Sequence, residues 1–233
     1  MEYLLGLDIG TSGVKAIAVS TAGEVIATSN VSYPLHTPQA GWAEQNPEDW
    51  WQGTKEVIQK LLSESTVQAD KIAGISFSGQ MHSSVFLDDQ QEVIRPAILW
   101  SDTRTTKQCA EIEEKAGGLE ELIDFVSNPA LEGFTGPKIL WLKENEPEHY
   151  SQVDCVLMPK DYVRYKLTEE LATEVSDAAG TLLLDVDNKE WNQELIAKLG
   201  LDEDILPPVL DSIDTAGKIT EEAAVETGLK PGT

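Results

Sequence analysis

The stretch Leu7-Asp8-Ile9-Gly10-Thr11-Ser12-Gly13-Val14-Lys15 governs how the rest of the chain is read. An apolar run, Tyr3-Leu4-Leu5-Gly6-Leu7, ends in the carboxylate of Asp8. Glycines and small hydroxyls follow at once, and a second apolar run spans Val14 to Val19. That order predicts a buried strand, a tight hairpin turn and a second strand beside the first. Glycines let backbone N–H groups come close to a ligand, and hydroxyls add donors for phosphate oxygens. Asp8, at the strand's end, is placed to hold a hydrated Mg²⁺, which takes one or two carboxylates together with substrate phosphates. On this stretch alone an ordinary hairpin with Asp8 as a turn residue is an equal alternative, because short Gly/Ser/Thr turns are common. The G-x-x-x-x-G-K-[ST] spacing of a Walker loop is absent.

The 233 residues suffice for one large α/β domain or two small ones, and 41% hydrophobic content with 6 Trp supports a substantial core. The net charge is −24, from 41 acidic and 17 basic residues. That balance argues against nucleic acid as a nonspecific partner, which needs basic patches, and against an anionic membrane surface. From Glu169 onward there are 16 acidic and 4 basic residues, which reads as a solvated face that promotes solubility. Cys109 and Cys155 make no disulfide framework and read as small core residues. The short N-terminal apolar run is broken by Asp8, so no signal peptide is visible. No stretch approaches the ~20 apolar residues that span a bilayer. The chain reads as cytoplasmic.

Outward from the opening turn, residues 3–9, 13–20 and 24–33 are expected as three consecutive antiparallel strands. A helix is expected after Asn46, an N-cap followed by Pro47, Glu48 and Asp49. Its Trp50 and Trp51 read as packing residues rather than a ligand platform. Residues 71–77 form a buried strand that leads into Ser78-Gly79-Gln80-Met81-His82-Ser83-Ser84. Small residues there allow close backbone approach, and Gln80 and His82 offer directional hydrogen bonds suited to a polyol or keto-sugar. Taken alone, a satisfied half-buried histidine beside a core methionine is the blander alternative for His82 and Met81.

A hairpin is expected over 85–94, a strand over 97–100 and a helix over 105–115. Further helices are expected over 138–145, from Pro159 to Leu167, over 191–199 and over 221–227. Strands are expected over 155–158, 182–184 and 213–219, with a polar turn over 176–181. Ligands of open α/β sheets gather outside the carboxyl ends of strands. Asp8, Gln80–His82 and Trp100–Asp102 all fall at or just past such ends, and that shared placement lifts all three as candidates.

Five stretches, in this order, resemble the FGGY-type carbohydrate kinases, and among them the bacterial xylulokinases. They are Gly6–Lys15; Ser78-Gly79-Gln80-Met81-His82; Ala97-Ile98-Leu99-Trp100-Ser101-Asp102-Thr103-Arg104; Glu132-Gly133-Phe134-Thr135-Gly136-Pro137-Lys138-Ile139-Leu140-Trp141; and Leu157-Met158-Pro159-Lys160-Asp161-Tyr162 with Ser176–Thr181. The first marks only the wider actin-like ATPases; the five together are specific and cover nearly the whole chain. The resemblance implies an RNase H-like, actin/hexokinase-type α/β domain over residues 1–233, with a mixed sheet that opens on three antiparallel strands. It implies ATP and Mg²⁺ as cofactors and D-xylulose or a similar ketose as substrate, phosphorylated to xylulose 5-phosphate. By that likeness Asp8 is the catalytic carboxylate beside metal and phosphate. Thr11, Ser12 and Lys15 lie along the nucleotide phosphates. Met81, His82, Trp100 and Asp102 line the sugar pocket, with Asp161 a weaker polar candidate. A homodimer is compatible with it.

The resemblance also implies a second, C-terminal kinase domain. The family's catalytic-base aspartate sits in a Gly-rich stretch shortly after a segment like Thr227–Gly232, beyond Thr233. The chain is therefore expected to be an N-terminal half that is inactive alone. Three alternatives stay open: another sugar kinase of the same type, acting on gluconate or a different pentulose; a non-catalytic sugar-binding regulator on the same fold; and an acidic structural or interaction domain with a coincidental turn. Gln80-Met81-His82 argues against a glycerol kinase, which carries a charged Arg-Glu pair there.

Overall fold

Strand β1 (Tyr3–Ile9) alternates between core and surface, as a half-buried strand must. Tyr3, Leu5, Leu7 and Ile9 face the core, while Leu4 and Asp8 face outward. The computed structural model describes residues 2–233. β2 (Gly13–Ser20) returns antiparallel to β1, with Asp8 opposite Lys15 and Ile9 opposite Val14. β3 (Val25–Ser32) pairs antiparallel with β2. A short β4 (Glu44–Gln45) then leads to helix α1 (Pro47–Glu64), whose start is capped by the Asn46 side chain.

A parallel neighbour for β1 requires a crossover, and α1 supplies it. Its Trp50, Trp51, Val57, Ile58 and Leu61 are buried in the same core as β1 and β2. β5 (Ile72–Gly79) then pairs parallel with β1, so the sheet order is β3-β2-β1-β5. The register places Ser78 beside Asp8 and Gly79 beside Ile9, so the ends of two neighbouring strands open onto the same edge.

The remaining elements build a second hydrophobic cluster. β6 (Val85–Leu87), β7 (Ala97–Ile98), α2 (Thr106–Ala116), α3 (Leu119–Val126), α4 (Thr135–Asn145) and α5 (Pro147–Tyr150) come first. β8 (Cys155–Leu157) follows and pairs antiparallel with β6. Phe86, Ile98, Ile112, Leu122, Leu140 and Leu182 are among its buried members. α6 (Pro159–Thr168) returns to the first core through Tyr162, Val163 and Leu167. Next come β9 (Thr173–Glu174), α7 (Val175–Ala179), β10 (Leu184–Asp185), β11 (Glu190–Trp191), α8 (Gln193–Leu199) and β12 (Val209–Leu210). α9 (Glu221–Thr227) closes the chain's order, starting at the Thr220 cap and stopping at Gly228.

Several expectations change. Residues 176–181 are not a plain turn: the Glu174 carboxylate accepts from the backbone N–H groups of Ser176 and Asp177 and starts α7. Residues 213–219 form no strand. Asp214 N–H bonds back to the Asp211 carbonyl, and Ile213 is 96% exposed. Strand 97–100 stops at Ile98, because the Asp102 N–H turns back to the Leu99 carbonyl. α4 begins at Thr135, since Gly136 and Pro137 fit a first turn whose N–H groups have no helical partner anyway. Trp191 lies on β11, and α8 starts after the Asn192 cap.

Candidate active site

Gly10–Gly13 form a tight turn, closed by the Gly10 N–H on the Gly13 carbonyl at 3.0 Å. A side chain at 13 would lie 2.4 Å from the Val31 carbonyl, so only glycine lets β2 and β3 approach there. The turn's carbonyls are drawn inward. The Tyr33 hydroxyl donates to Gly10 O at 2.5 Å, and Gln45 Nε2 donates to Thr11 O at 2.8 Å. Burial first, and then the Asp8 carboxylate, push the Tyr33 hydroxyl's pKa well up, so it stays a donor. Asp8 and Lys15 are exposed and face each other across β1 and β2.

Gln45 is fully buried and ties four segments together. Its Nε2 also donates to Pro34 O at 2.9 Å. Its Oε1 accepts from Trp50 Nε1 at 3.0 Å and from Gln80 Nε2 at 3.0 Å. The Gln80 N–H in turn caps β1 by donating to the Ile9 carbonyl at 2.8 Å. The opening turn and the Gln80–His82 segment are thus one hydrogen-bonded unit.

His82 sits in the left-handed region, with φ of 65°, an uncommon state for a residue with a side chain. Its carbonyl accepts from the Thr135 hydroxyl at 2.9 Å, and its ring lies against Phe134 with centroids 4.7 Å apart. A side chain at Gly180 would lie 2.5 Å from the imidazole, so glycine there gives the ring its place. Burial, and then the charge of Lys138, lower the His82 pKa to about 4. The imidazole is therefore neutral near pH 7 and offers one donor and one acceptor.

Trp100 closes the unit. Its indole Nε1–H donates to the Thr11 hydroxyl at 2.9 Å, and its backbone N–H donates to the Ser83 hydroxyl at 3.1 Å. Because Thr11 Oγ1 accepts here, its own proton is free for another oxygen. Trp100 and Met81 are 43% and 46% exposed. Met81 is thus no core filler. Two large apolar side chains left open beside polar groups make this surface a candidate binding wall.

Asp102 behaves differently from the expectation that it lines the pocket. It is buried, and both oxygens are in use. Oδ2 accepts from the Ala43 N–H at 2.6 Å and Arg104 Nη2 at 2.7 Å, and Oδ1 accepts from the Arg104 N–H and Nε. The Arg104 guanidinium also reaches Glu44 at 2.8 Å and stacks over Trp42, 3.6 Å from the ring centroid. Asp102 therefore supports the Trp100 turn from behind. Asp161 is likewise occupied, by Lys160 at 2.8 Å and by the Thr173 hydroxyl at 2.8 Å.

The Asp8 surface fits a Mg²⁺ bridged to phosphates. Among the described residues no group of three or more His, Cys, Asp or Glu side chains is placed to hold a metal ion. One exposed carboxylate that makes no hydrogen bond to the described residues is what a phosphate-borne Mg²⁺ needs. Thr11, Ser12 and Lys15 lie on the same turn and strand, Ser12 and Lys15 exposed. A cavity of about 920 Å³ runs along the free edge of β5 and against Lys160, Arg164 and residues 210–219. Lys160 there is held by Asp161, Glu174 and Asp177 within 3.2 Å, so its charge is already matched.

Nothing in the sequence marks Tyr33 or Gln45, whereas Phe134 and Gly180 fall within stretches that carry the resemblance, without a role of their own. No helix of the described residues is long and apolar enough to cross a membrane.

Comparison with known proteins now bears on this geometry. The N-terminal domain of the FGGY family of carbohydrate kinases matches residues 3–233. A xylulose kinase of Bacillus subtilis is 50% identical over 229 residues, covering 98% of this chain and 46% of the relative. A crystal structure of xylulose kinase from Rhodospirillum rubrum superposes with a TM-score of 0.93 at 28% identity, over 99% of this chain and 47% of the other. A gluconate kinase from Lactobacillus acidophilus superposes with a TM-score of 0.92 at 28% identity, over 100% of this chain and 46% of the other. The chain spans about half the length of the curated relatives it matches. Its mixed sheet is that of the actin/hexokinase-like sugar kinases.

Proposed function

The chain belongs to the FGGY family of carbohydrate kinases, and from that footing we propose that the protein transfers the γ-phosphoryl of Mg-ATP to D-xylulose, forming D-xylulose 5-phosphate. The observation that carries this reading is the Trp100–Thr11 hydrogen bond, which joins the candidate sugar wall to the candidate phosphate turn. The 50% identity to a xylulose kinase supports the choice of sugar.

Phosphoryl transfer depends mainly on positioning and charge stabilisation. In this reading Asp8 holds the metal-bearing phosphates at the end of β1. The Thr11 and Ser12 hydroxyls and Lys15 contact the phosphate oxygens. A bound Mg²⁺ supplies charge neutralisation on those oxygens. Neutral His82 exchanges hydrogen bonds with sugar hydroxyls, and the Met81 and Trp100 side chains cover the sugar's apolar face. Asp102 keeps Trp100 in place. A group that takes the sugar hydroxyl's proton completes the reaction; the family likeness assigns it to an aspartate in the second half of such kinases.

Gluconate is the second reading, because a gluconate kinase shares the fold at a TM-score of 0.92. A coupled ADP-release assay on the full-length protein with D-xylulose, gluconate and glycerol tests both. D-xylulose is expected to give the highest kcat/KM; a higher value for gluconate or glycerol overturns the proposal.

A further inference from the structure

Lys138 is fully buried, yet among the described residues no carboxylate pairs with it. It lies in the first turn of α4, where the helix dipole disfavours a cation. Its Nζ instead donates to three consecutive carbonyls, those of Glu132 (2.9 Å), Gly133 and Phe134 (2.8 Å). An apolar residue at this position would leave those carbonyls without this donor. The segment it gathers forms part of the candidate sugar wall. Phe134 carries the His82 ring, a side chain at Gly133 would lie 3.3 Å from the Trp100 carbonyl, and Thr135, next in the chain, holds the His82 carbonyl.

We propose that Lys138 is the positioning residue of the sugar wall: by gathering the Glu132, Gly133 and Phe134 carbonyls it sets Phe134 and Gly133 beneath His82 and Trp100. Its electrostatics agree with the geometry. Burial lowers the Lys138 pKa to about 7, with Asp102, Cys109 and Glu132 opposing the shift and Arg104 adding to it. Burial first, and then the Lys138 charge, hold the His82 pKa down. That His82 contacts sugar rests on the function proposed above; the hold of Lys138 on His82 does not.

The test is the NMR titration of the histidines in the 233-residue chain and its Lys138→Met variant, with His36 and His149 as internal references. In the folded variant the His82 pKa is expected to rise from about 4 by roughly half a unit or more, because a neighbouring positive charge is gone. Its ring resonances are expected to move as Phe134 loosens, while His36 and His149 stay put. A purely structural role lowers the melting temperature and leaves His82 titrating as in the wild type, and that result overturns the proposal. Should that variant not fold, Lys138→Arg carries the same test: it keeps the charge but not the ammonium's reach to three consecutive carbonyls, so the His82 ring resonances are expected to move, and unchanged resonances overturn the proposal. In the full-length protein the variant is expected to raise KM for D-xylulose more than it lowers kcat. A wild type that never turns over D-xylulose refutes the sugar reading alone.

Discussion

The Trp100 indole donates to the Thr11 hydroxyl across 2.9 Å, although 89 residues separate them in the chain. This bond makes the turn after β1 and the turn after β7 parts of one surface. It also couples two groups that the proposed chemistry uses separately, a phosphate-side hydroxyl and a sugar-side indole.

Trp100→Phe keeps the ring and removes the donor. A lost hydrogen bond is worth about 0.5–1.5 kcal/mol net. The KM for ATP is expected to rise about two- to tenfold in steady-state kinetics, together with a rise in KM for the sugar. A change confined to the sugar separates the two turns.

Gly180→Ala places a methyl 2.5 Å from the His82 ring. The ring already lies against Phe134, so the overpacking is expected to cost about 1–3 kcal/mol in urea unfolding. The KM for D-xylulose is expected to rise as well, because the imidazole shifts. An unchanged KM separates His82 from the sugar.

Asp102→Asn tests whether Asp102 supports or contacts. The change removes one of the two carboxylates that pair with Arg104 and leaves Glu44 at 2.8 Å as the other, a loss of about 1–3 kcal/mol. The variant is expected to be less stable while the sugar KM of the folded protein changes little. A stable variant with a large sugar KM effect returns Asp102 to the pocket lining.

His82 sets a pH dependence. Its folded pKa, about 4, lies below the ordinary 6.5. The neutral ring therefore favours folding, with that contribution fully present above pH 6.5 and lost as pH falls toward 4. Half-exposure of the ring reduces its size through solvent screening. Sugar affinity is expected to hold constant from pH 8 to about 5. It then falls near pH 4. His82→Gln is expected to flatten the acid slope of stability, and a slope equal to the wild type's contradicts the assignment.

Much of this was legible in the chain because the signals are local. Thr220 before an acidic first turn and Gly228 after it bracket α9 at both ends. The alternation of Tyr3, Leu5, Leu7 and Ile9 marks β1, and Asn46-Pro47 marks α1. Residues 213–219 begin and end on isoleucine, yet no strand pairs with them and Gly217 takes a φ of 151°, so the expected strand fails there. Asp102 shows a second limit. Spacing places it two residues past Trp100, but only the turn at Leu99–Asp102, and Ala43 with Arg104 waiting behind it, decides that its carboxylate faces inward. Gln45 shows a third, because its partners Thr11, Pro34, Trp50 and Gln80 lie on four segments that meet only once the sheet has formed.

The most direct measurement is steady-state phosphorylation of D-xylulose with Mg-ATP by the full-length protein, wild type against Asp8→Ala and His82→Ala. Asp8→Ala is expected to lower kcat by about a hundredfold or more with the sugar KM held. His82→Ala is expected to raise the sugar KM about two- to tenfold with a smaller effect on kcat. An Asp8→Ala enzyme that turns over like the wild type, or a His82→Ala enzyme with an unchanged sugar KM, contradicts the account.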